Sequence, residues 1–262
     1  LRHQLSEATV VREDEPLARK TTYGVGGTAD VWAEVGCAED LAEILRWCDS
    51  QRLPFHILGA GSNVLVSDLG VRGVVARLTG DVFRSIRHEA GEVVVGAAVP
   101  LAKLLAWATH EALSGLEFLE GVPGGVGGIV RMNGGAYGHE ICERLSWIRG
   151  LKRDGSECTV QASALEWGYR GCKSLESVVV TEVGLQLERG VKGEIAEARA
   201  QIAGRRKWMR GLRCSGSVFR NSGDQYAGRL VEELGLKGSR VGGAQVLPRH
   251  GNFIVADGNC TA

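Results

Sequence analysis

Apolar positions recur along this chain at two periods. Leu41, Ile44, Leu45 and Cys48 fall at helical spacing, which predicts an amphipathic helix over residues 38–51, stopped by Pro54. Leu101, Leu104, Leu105 and Ala108 repeat the pattern behind Pro100, expected at the first helical position. Alternation over Ala29–Glu34 predicts a strand, and the apolar run Phe55–Leu58 a short buried one. Further strands are expected at Val64–Val66, Gly73–Leu78, Val82–His88 paired with Glu92–Ala97, Val178–Leu187 and Asn252–Val255. Asp154-Gly155 is a hairpin signal between strands at Leu145–Lys152 and Glu157–Val160. A short helix is expected over Ala162–Trp167 and a longer one over Gly193–Arg210. A third, over Tyr226–Leu234, is expected to turn Leu230, Val231 and Leu234 inward. Residues 1 to about 20 read as a solvated lead-in.

Two glycine-rich stretches interrupt this pattern. Gly59-Ala60-Gly61-Ser62-Asn63 follows the run at Phe55–Leu58, and its small residues let a ligand approach the backbone closely. Such a turn aims several N–H groups at one anion, and Ser62 and Asn63 add side-chain donors. The stretch reads as a diphosphate site, with a plain tight turn as the alternative. The dinucleotide fingerprint is excluded, because its third glycine falls at Val64, and no Gly-Lys-Ser/Thr phosphate loop occurs. The second stretch, Gly121–Gly128, runs on through Asn133-Gly134-Gly135-Ala136-Tyr137-Gly138. That much glycine is costly in backbone entropy and suits a place where something flat or bulky lies against the chain.

Charge removes several classes of function. Lys+Arg and Asp+Glu number 31 each over 262 residues, so no basic field points to nucleic acid. No apolar run approaches the roughly 20 residues of a membrane span. The seven cysteines form no C-x-x-C pair; no metal site is expected, each is taken as a small buried hydrophobe, and a reducing cytoplasm fits. The dense basic stretch Arg205–Arg210 reads as a solvated helix end, with contact to a diphosphate or carboxylate as the alternative. Taken singly, Arg170 reads as a loop arginine and Ser217 as a cap or turn residue.

Motif order changes that reading. GAGSN, then GVPGGVGG with MNGGAYG, then GYR, then GSVFRN, then GLKGSRVGGAQVLPRHGNFIV resembles the UDP-N-acetylenolpyruvoylglucosamine reductases, the MurB family of peptidoglycan synthesis, over nearly the whole chain. The short segment between Arg170 and Ser217 suits the family's second subclass. The resemblance implies an α+β protein with an FAD-binding fold of the vanillyl-alcohol-oxidase type. Its two FAD-binding subdomains are expected at 1–80 and 81–192, and a UDP-sugar domain at 193–262. It implies FAD contacts at Gly59, Ala60, Gly61, Ser62 and Asn63, at Gly121, Val122, Pro123, Gly127 and Gly128, and at Asn133, Gly135 and Ala136. Substrate contacts are implied at Tyr169, Arg220 and Asn221. The implied reaction reduces the enolpyruvyl group of UDP-N-acetylglucosamine-enolpyruvate with NADPH. Hydride passes from flavin N5 to C3, Arg170 stabilises charge developing beside the carboxylate, and Ser217 delivers the proton to C2. A cytoplasmic monomer is expected. Another FAD oxidoreductase of this fold, or a catalytically impaired nucleotide-binding homologue, is the alternative.

The chain departs from the family pattern at Gly125, where Ser or Thr is usual, at Gly134, where Ala is usual, and at Arg220, where Lys is usual. The family also continues beyond the strand matching Asn252–Val255 into a segment carrying a catalytic glutamate, so the sequence is expected to be a fragment.

Overall fold

The computed structural model describes residues 1–258 and 260–262. The chain begins with β1 (Val10–Pro16), β2 (Thr28–Val35), α1 (Ala38–Ser50), β3 (Phe55–Ile57) and β4 (Val71–Leu78). The strands order as β1-β2-β4-β3, with β3 and β4 parallel and Phe55 opposite Val74. The helical repeat is borne out: Leu41, Ile44, Leu45 and Cys48 are each at most 2% exposed. The helix ends at Gln51 and Arg52 turns left-handed (φ 53°) ahead of Pro54.

Three expectations fail in this stretch. Val10–Pro16 is a strand rather than a solvated lead-in; its charged outer positions suit an edge, where polar side chains blunt pairing with other chains. The run at Phe55–Leu58 is strand only to Ile57, and it is not buried. It lies at the sheet edge with Ile57 43% exposed, and only Leu58 is covered. Val64–Val66 forms no strand; Val66 packs against Gly26 instead of pairing.

A hairpin of β5 (Ile86–Glu89) and β6 (Glu92–Gly96) follows, turning at Ala90 (φ 51°) and Gly91 (φ 85°). Both central residues are left-handed, as the tightest hairpin turns require. Val82–Arg84 belongs to a 3-10 turn rather than to the strand. In α2 (Leu101–His110) all four expected core residues are buried, and Pro100 stands one place earlier than expected, as the cap. Next come β7 (Leu113–Ser114), α3 (Val126–Arg131), β8 (Gly135–Ala136), β9 (His139–Glu140), β10 (Leu145–Lys152), β11 (Glu157–Gln161), β12 (Trp167–Gly168), β13 (Gly171–Cys172), β14 (Val178–Leu185) and β15 (Glu188–Arg189). The short helix expected over Ala162–Trp167 is reduced to a 3-10 turn at Ala162–Ala164. The strands at 86–96, 145–161 and 178–185 form one antiparallel sheet, β11-β10-β14-β6-β5. Glu182, only 8% exposed in it, accepts hydrogen bonds from Arg87 (2.7 Å) and Arg149 (3.0 Å).

The chain closes with α4 (Lys192–Arg206), α5 (Ala227–Glu233), β16 (Arg240–Val241), β17 (Ala244–Val246) and β18 (Ile254–Ala256), the last three forming a small sheet. The expected inward face of α5 is absent: Leu230 is 42% and Leu234 71% exposed, and only Val231 packs, on Gly251. Two turns of helix present too narrow a face to bury all three. All seven cysteines are free, but only Cys48 and Cys172 are buried; the other five are half-buried, against expectation. Among the described residues no helix is long and apolar enough to cross a membrane.

By contact density the chain falls into two compact units. One holds Leu1–Arg12, Trp32–Gly59 and Gly73–Trp208, the other Glu13–Val31, Ala60–Arg72 and Met209–Ala262.

Candidate active site

In the larger unit, the second glycine stretch is more ordered than its composition suggests. Val126 donates to Val99 O (3.0 Å), Gly127 to Ala97 O (2.8 Å) and Leu101 to Gly124 O (2.9 Å). These bonds fasten the stretch to the chain entering α2. No helical period is visible here in the sequence, yet α3 forms, because Val126, Ile129 and Val130 supply one buried face. Gly127 is glycine for a structural reason: a Cβ would lie 2.9 Å from Cβ of Ala97. At Gly128 a Cβ would meet nothing within 4 Å, so its face is open. The N–H groups of Gly124 and Gly125 have no acceptor among the described residues.

Asn133 follows α3 in the left-handed conformation (φ 41°) and is fully buried. Its amide donates to Glu140 Oε2 (2.6 Å) and to Gly168 O (3.2 Å), and its Oδ1 accepts from Cys142 N (3.4 Å). Both of its side-chain polar atoms are thus satisfied within the protein. The β8–β9 hairpin that it supports turns through Tyr137 (φ 57°) and Gly138 (φ 85°), and Gly135 and Ala136 form its first strand. The other hairpin it touches, β12–β13, has Tyr169 and Arg170 at its tip. Arg170 is left-handed (φ 61°), donates to Gly135 O (3.3 Å) and lies 5.4 Å from the Tyr169 ring centre. The structure therefore gathers Asn133, Gly135, Ala136, Tyr169 and Arg170, which the sequence separates by more than 30 residues. Left-handed non-glycine residues carry strain and cluster at functional sites; Asn133, Tyr137 and Arg170 are three such residues in one place.

The loop at Gly59 is open on its outer side. A Cβ at Gly59 would meet nothing within 4 Å. In the smaller unit, by contrast, Gly61 (φ 67°) packs directly on Lys20: a Cβ there would fall against Lys20 O, and Thr22 donates to Gly61 O (3.0 Å). The backbone N–H groups of Gly59, Ala60, Gly61 and Asn63 have no acceptor among the described residues. A run of unused donors at a turn without side-chain bulk is what a diphosphate needs. The residues present fit FAD on that ground.

The smaller unit also carries a cavity of about 330 Å³, lined in part by Ser217, Asn221, Tyr226, Arg229, Arg249 and His250. Ser217 bridges to Phe253, and Val218 donates to Asn252 O (2.9 Å). Asn252, only 4% exposed, clamps the GSVFRN segment: its Oδ1 accepts from Phe219 N (2.8 Å) and its Nδ2 donates to Phe219 O (2.9 Å). Asn252 N donates to His250 Nδ1 (3.1 Å), which leaves the proton on Nε2. Burial pulls the His250 pKa below its ordinary value. Asn221 caps α5, its Oδ1 accepting from Ala227 N (3.1 Å), and Arg220 is exposed. Sequence reading missed Asn252, Tyr226, Arg229, Arg249 and His250 as cavity residues. The HGNF motif was visible, but only the fold shows that its asparagine holds the serine segment. Among the described residues no three His, Cys, Asp or Glu side chains are grouped to hold a metal.

The α+β architecture, with a glycine turn whose N–H donors fit a diphosphate, matches an FAD-binding fold of the vanillyl-alcohol-oxidase type. The FAD binding domain family matches residues 29–161. 6-Hydroxy-D-nicotine oxidase from Arthrobacter nicotinovorans shares this fold, with TM-score 0.55 and 18% identity over 72% of this chain and 44% of that one. The remainder narrows the class, since the UDP-N-acetylenolpyruvoylglucosamine reductase C-terminal domain matches residues 208–262. The chain is 39% identical to UDP-N-acetylenolpyruvoylglucosamine reductase 2 of Symbiobacterium thermophilum, over 100% of this chain and 86% of that protein. It is 38% identical to reductase 1 of Bacillus cereus, over 99% and 88%. It superposes on the crystal structure of the Thermus caldophilus reductase with TM-score 0.85 and 36% identity, covering 97% of this chain and 90% of that one. The chain belongs to the UDP-N-acetylenolpyruvoylglucosamine reductase family, and FAD is its cofactor.

Proposed function

We propose that the chain reduces the enolpyruvyl ether of UDP-N-acetylglucosamine-enolpyruvate to UDP-N-acetylmuramate, with NADPH as the source of electrons, in cytoplasmic peptidoglycan precursor synthesis. The observation that carries this reading is the likeness to reductases along the full chain, in the flavin segment and the substrate segment alike. On this reading residues 1–80 and 81–192 bind FAD and residues 193–262 bind the UDP-sugar. When bound, FAD supplies hydride chemistry.

The chain's own residues do the rest. The open face of Gly59 and the N–H groups of Gly59, Ala60, Gly61 and Asn63 hold the FAD diphosphate, with Ser62 in the same turn; Gly121–Gly128 and the Gly135–Ala136 strand receive the flavin. Asn133 serves that site through the hairpins it fixes. Arg170 holds the substrate carboxylate with its planar fork and stabilises negative charge developing beside it. Tyr169 shares the Arg170 hairpin tip and joins it in seating the substrate. Ser217 delivers a proton at C2. A serine is a weak acid, so its neighbours must stabilise the oxyanion left behind. The cavity it opens onto contains Arg229, Arg249 and the Nε2–H of His250, all suited to that task. Asn221 and Arg220 flank the UDP-sugar.

The test is NADPH oxidation followed at 340 nm with and without the enolpyruvyl UDP-sugar, using FAD-loaded protein. Sugar-dependent oxidation with muramate formation is expected. Oxidation that ignores the sugar would replace this reading with another flavin oxidoreductase.

A further inference from the structure

One arginine of the larger unit ties the entrance of the second glycine stretch to two helices. Arg199 of α4 donates through Nε to Glu120 Oε2 at 2.7 Å. Its Nη1 donates to Leu105 O at 3.0 Å and to Thr109 Oγ1 at 2.8 Å. The ion pair is sheltered, with the two side chains 21% and 20% exposed, so it is screened less than a surface pair. Glu120 stands directly before Gly121, and Leu105 and Thr109 lie in the second half of α2. The α2 macrodipole favours a cation near that end, but it does not explain why the same guanidinium also reaches Glu120.

The apolar core leaves the span between unanchored. Leu116, Phe118 and Leu119 are buried before it and Val126 after it, while none of residues 120–125 is buried. Backbone bonds fix its far end to the start of α2: Leu101 N donates to Gly124 O at 2.9 Å, and Val126 N to Val99 O at 3.0 Å. At its near end a turn bond joins Val122 N to Leu119 O (3.0 Å), and Glu120 meets Arg199. α4 also passes close to Gly121, left-handed at φ 73°, where a Cβ would lie 3.0 Å from Cδ of Arg206. The start of α2 thus holds one end of the span, and Arg199, braced on the other half of α2, holds the other. The unused N–H groups of Gly124 and Gly125 lie within it.

We propose that Arg199 is a positioning residue for the flavin: by bracing Glu120 against α2 it sets where the Gly121–Gly125 backbone stands against the cofactor. The inference rests on the reading above that Gly121–Gly128 receives the flavin, and adds that α4 serves the cofactor through Glu120. A guanidinium suits the task because its planar fork serves a carboxylate and a helix carbonyl together, which an ammonium on a flexible stem does less well.

FAD titrations and visible spectra of wild type, Arg199→Met, Glu120→Gln and the double variant test this. Arg199→Met keeps an apolar stem and removes the donors. It is expected to weaken FAD binding at least about fivefold, as a charge-assisted bond is lost, and to displace the absorption maxima of bound flavin. A merely structural role would lower the amount of folded protein and leave the bound-flavin spectrum in place. Glu120→Gln should act in the same direction, and the double variant should bind no more weakly than Arg199→Met, because both changes remove one contact. Arg199→Lys should recover part of the affinity. Bound-flavin maxima at the wild-type position in both single variants overturn the proposal, as do losses that add in the double variant. If Arg199→Met does not fold, the spectrum of Glu120→Gln decides. Gly128→Val tests the reading underneath, since its side chain would fill the open face of that glycine. Unchanged FAD affinity in Gly128→Val removes the flavin from this stretch and the inference with it. Weakened affinity there, beside an Arg199→Met like wild type, removes the inference alone.

Discussion

The side-chain amide of Asn133 donates to the carbonyl of Gly168 at 3.2 Å, joining two hairpins 35 residues apart in sequence. Through that bond and the one to Glu140, a buried asparagine sets the position of the tip that carries Arg170. Removing it leaves the Gly168 carbonyl and the Glu140 carboxylate short of a donor. Asn133→Ala also puts alanine at φ 41°, which asparagine tolerates better. The variant is expected to lose roughly 2–3 kcal/mol of stability in urea unfolding. It should bind FAD more weakly as the hairpins loosen. A variant with native stability and native flavin affinity would show that the hairpins are held by other means.

Gly59 and Gly61 look alike in sequence and differ in the structure. Gly59 faces open space, whereas a side chain at Gly61 would meet Lys20 O at a positive φ. Gly59→Ala is therefore expected to leave the flavin-free protein within about 0.5 kcal/mol of wild type and to weaken FAD binding. Gly61→Ala should destabilise the flavin-free protein by more than about 1 kcal/mol. Apo-protein melting and FAD titration of the same two variants check this; equal melting shifts would contradict it.

Asp40 gives a pH dependence. It is 5% exposed, and its carboxylate accepts from Ser6 N (3.0 Å) and Ser6 Oγ (2.6 Å). Burial alone raises its pKa, but the hydrogen bonds from Ser6 and Thr9 outweigh burial and hold it below 3.8. The folded state thus binds this proton more weakly than the unfolded chain does. The stabilisation is full above the unfolded value and is lost as pH falls through the lower, folded one. Asp40→Asn is expected to melt below wild type by a constant margin between pH 5 and 7, with the gap closing below about pH 4. A gap that persists at pH 3 would place the effect in packing rather than charge.

Much of this was legible in the sequence. α1 and α2 announced themselves because their apolar residues repeat at 3.6 and face a core, and Asp154-Gly155 marked its hairpin by turn chemistry. The glycine stretches were legible as candidate sites, but their packing was not. Gly59, Gly61 and Gly128 are the same letter, while an open face, a backbone contact and a helix position are tertiary facts. α3 was hidden because glycine masks a helical period. The inward face predicted for α5 failed because spacing says which residues share a face, not whether anything covers it. Asn252 and His250 were missed for a related reason: their contacts reach Phe219 and the Ser217 cavity, more than 30 residues away.

Arg170, proposed to hold the substrate carboxylate, also carries a conformational penalty, so role and strain are separable by substitution. Its φ of 61° is a conformation that costs an L-residue about 1–2 kcal/mol and glycine nothing. Arg170→Ala keeps that strain and loses the guanidinium. Arg170→Gly loses the guanidinium and relieves the strain, at the expense of a more flexible unfolded chain. The glycine variant is therefore expected to be the more stable of the two, by up to about 1 kcal/mol. Both should lose the same catalytic contribution, on the order of 10²–10³ in kcat, the usual effect of deleting a group that stabilises a developing anion. Arg170→Lys should fall between them and wild type, with charge kept and the bidentate grip lost. Unfolding curves and kcat on the same three proteins give the answer. If kcat instead follows stability across the series, the arginine shapes the hairpin and the anion is stabilised elsewhere.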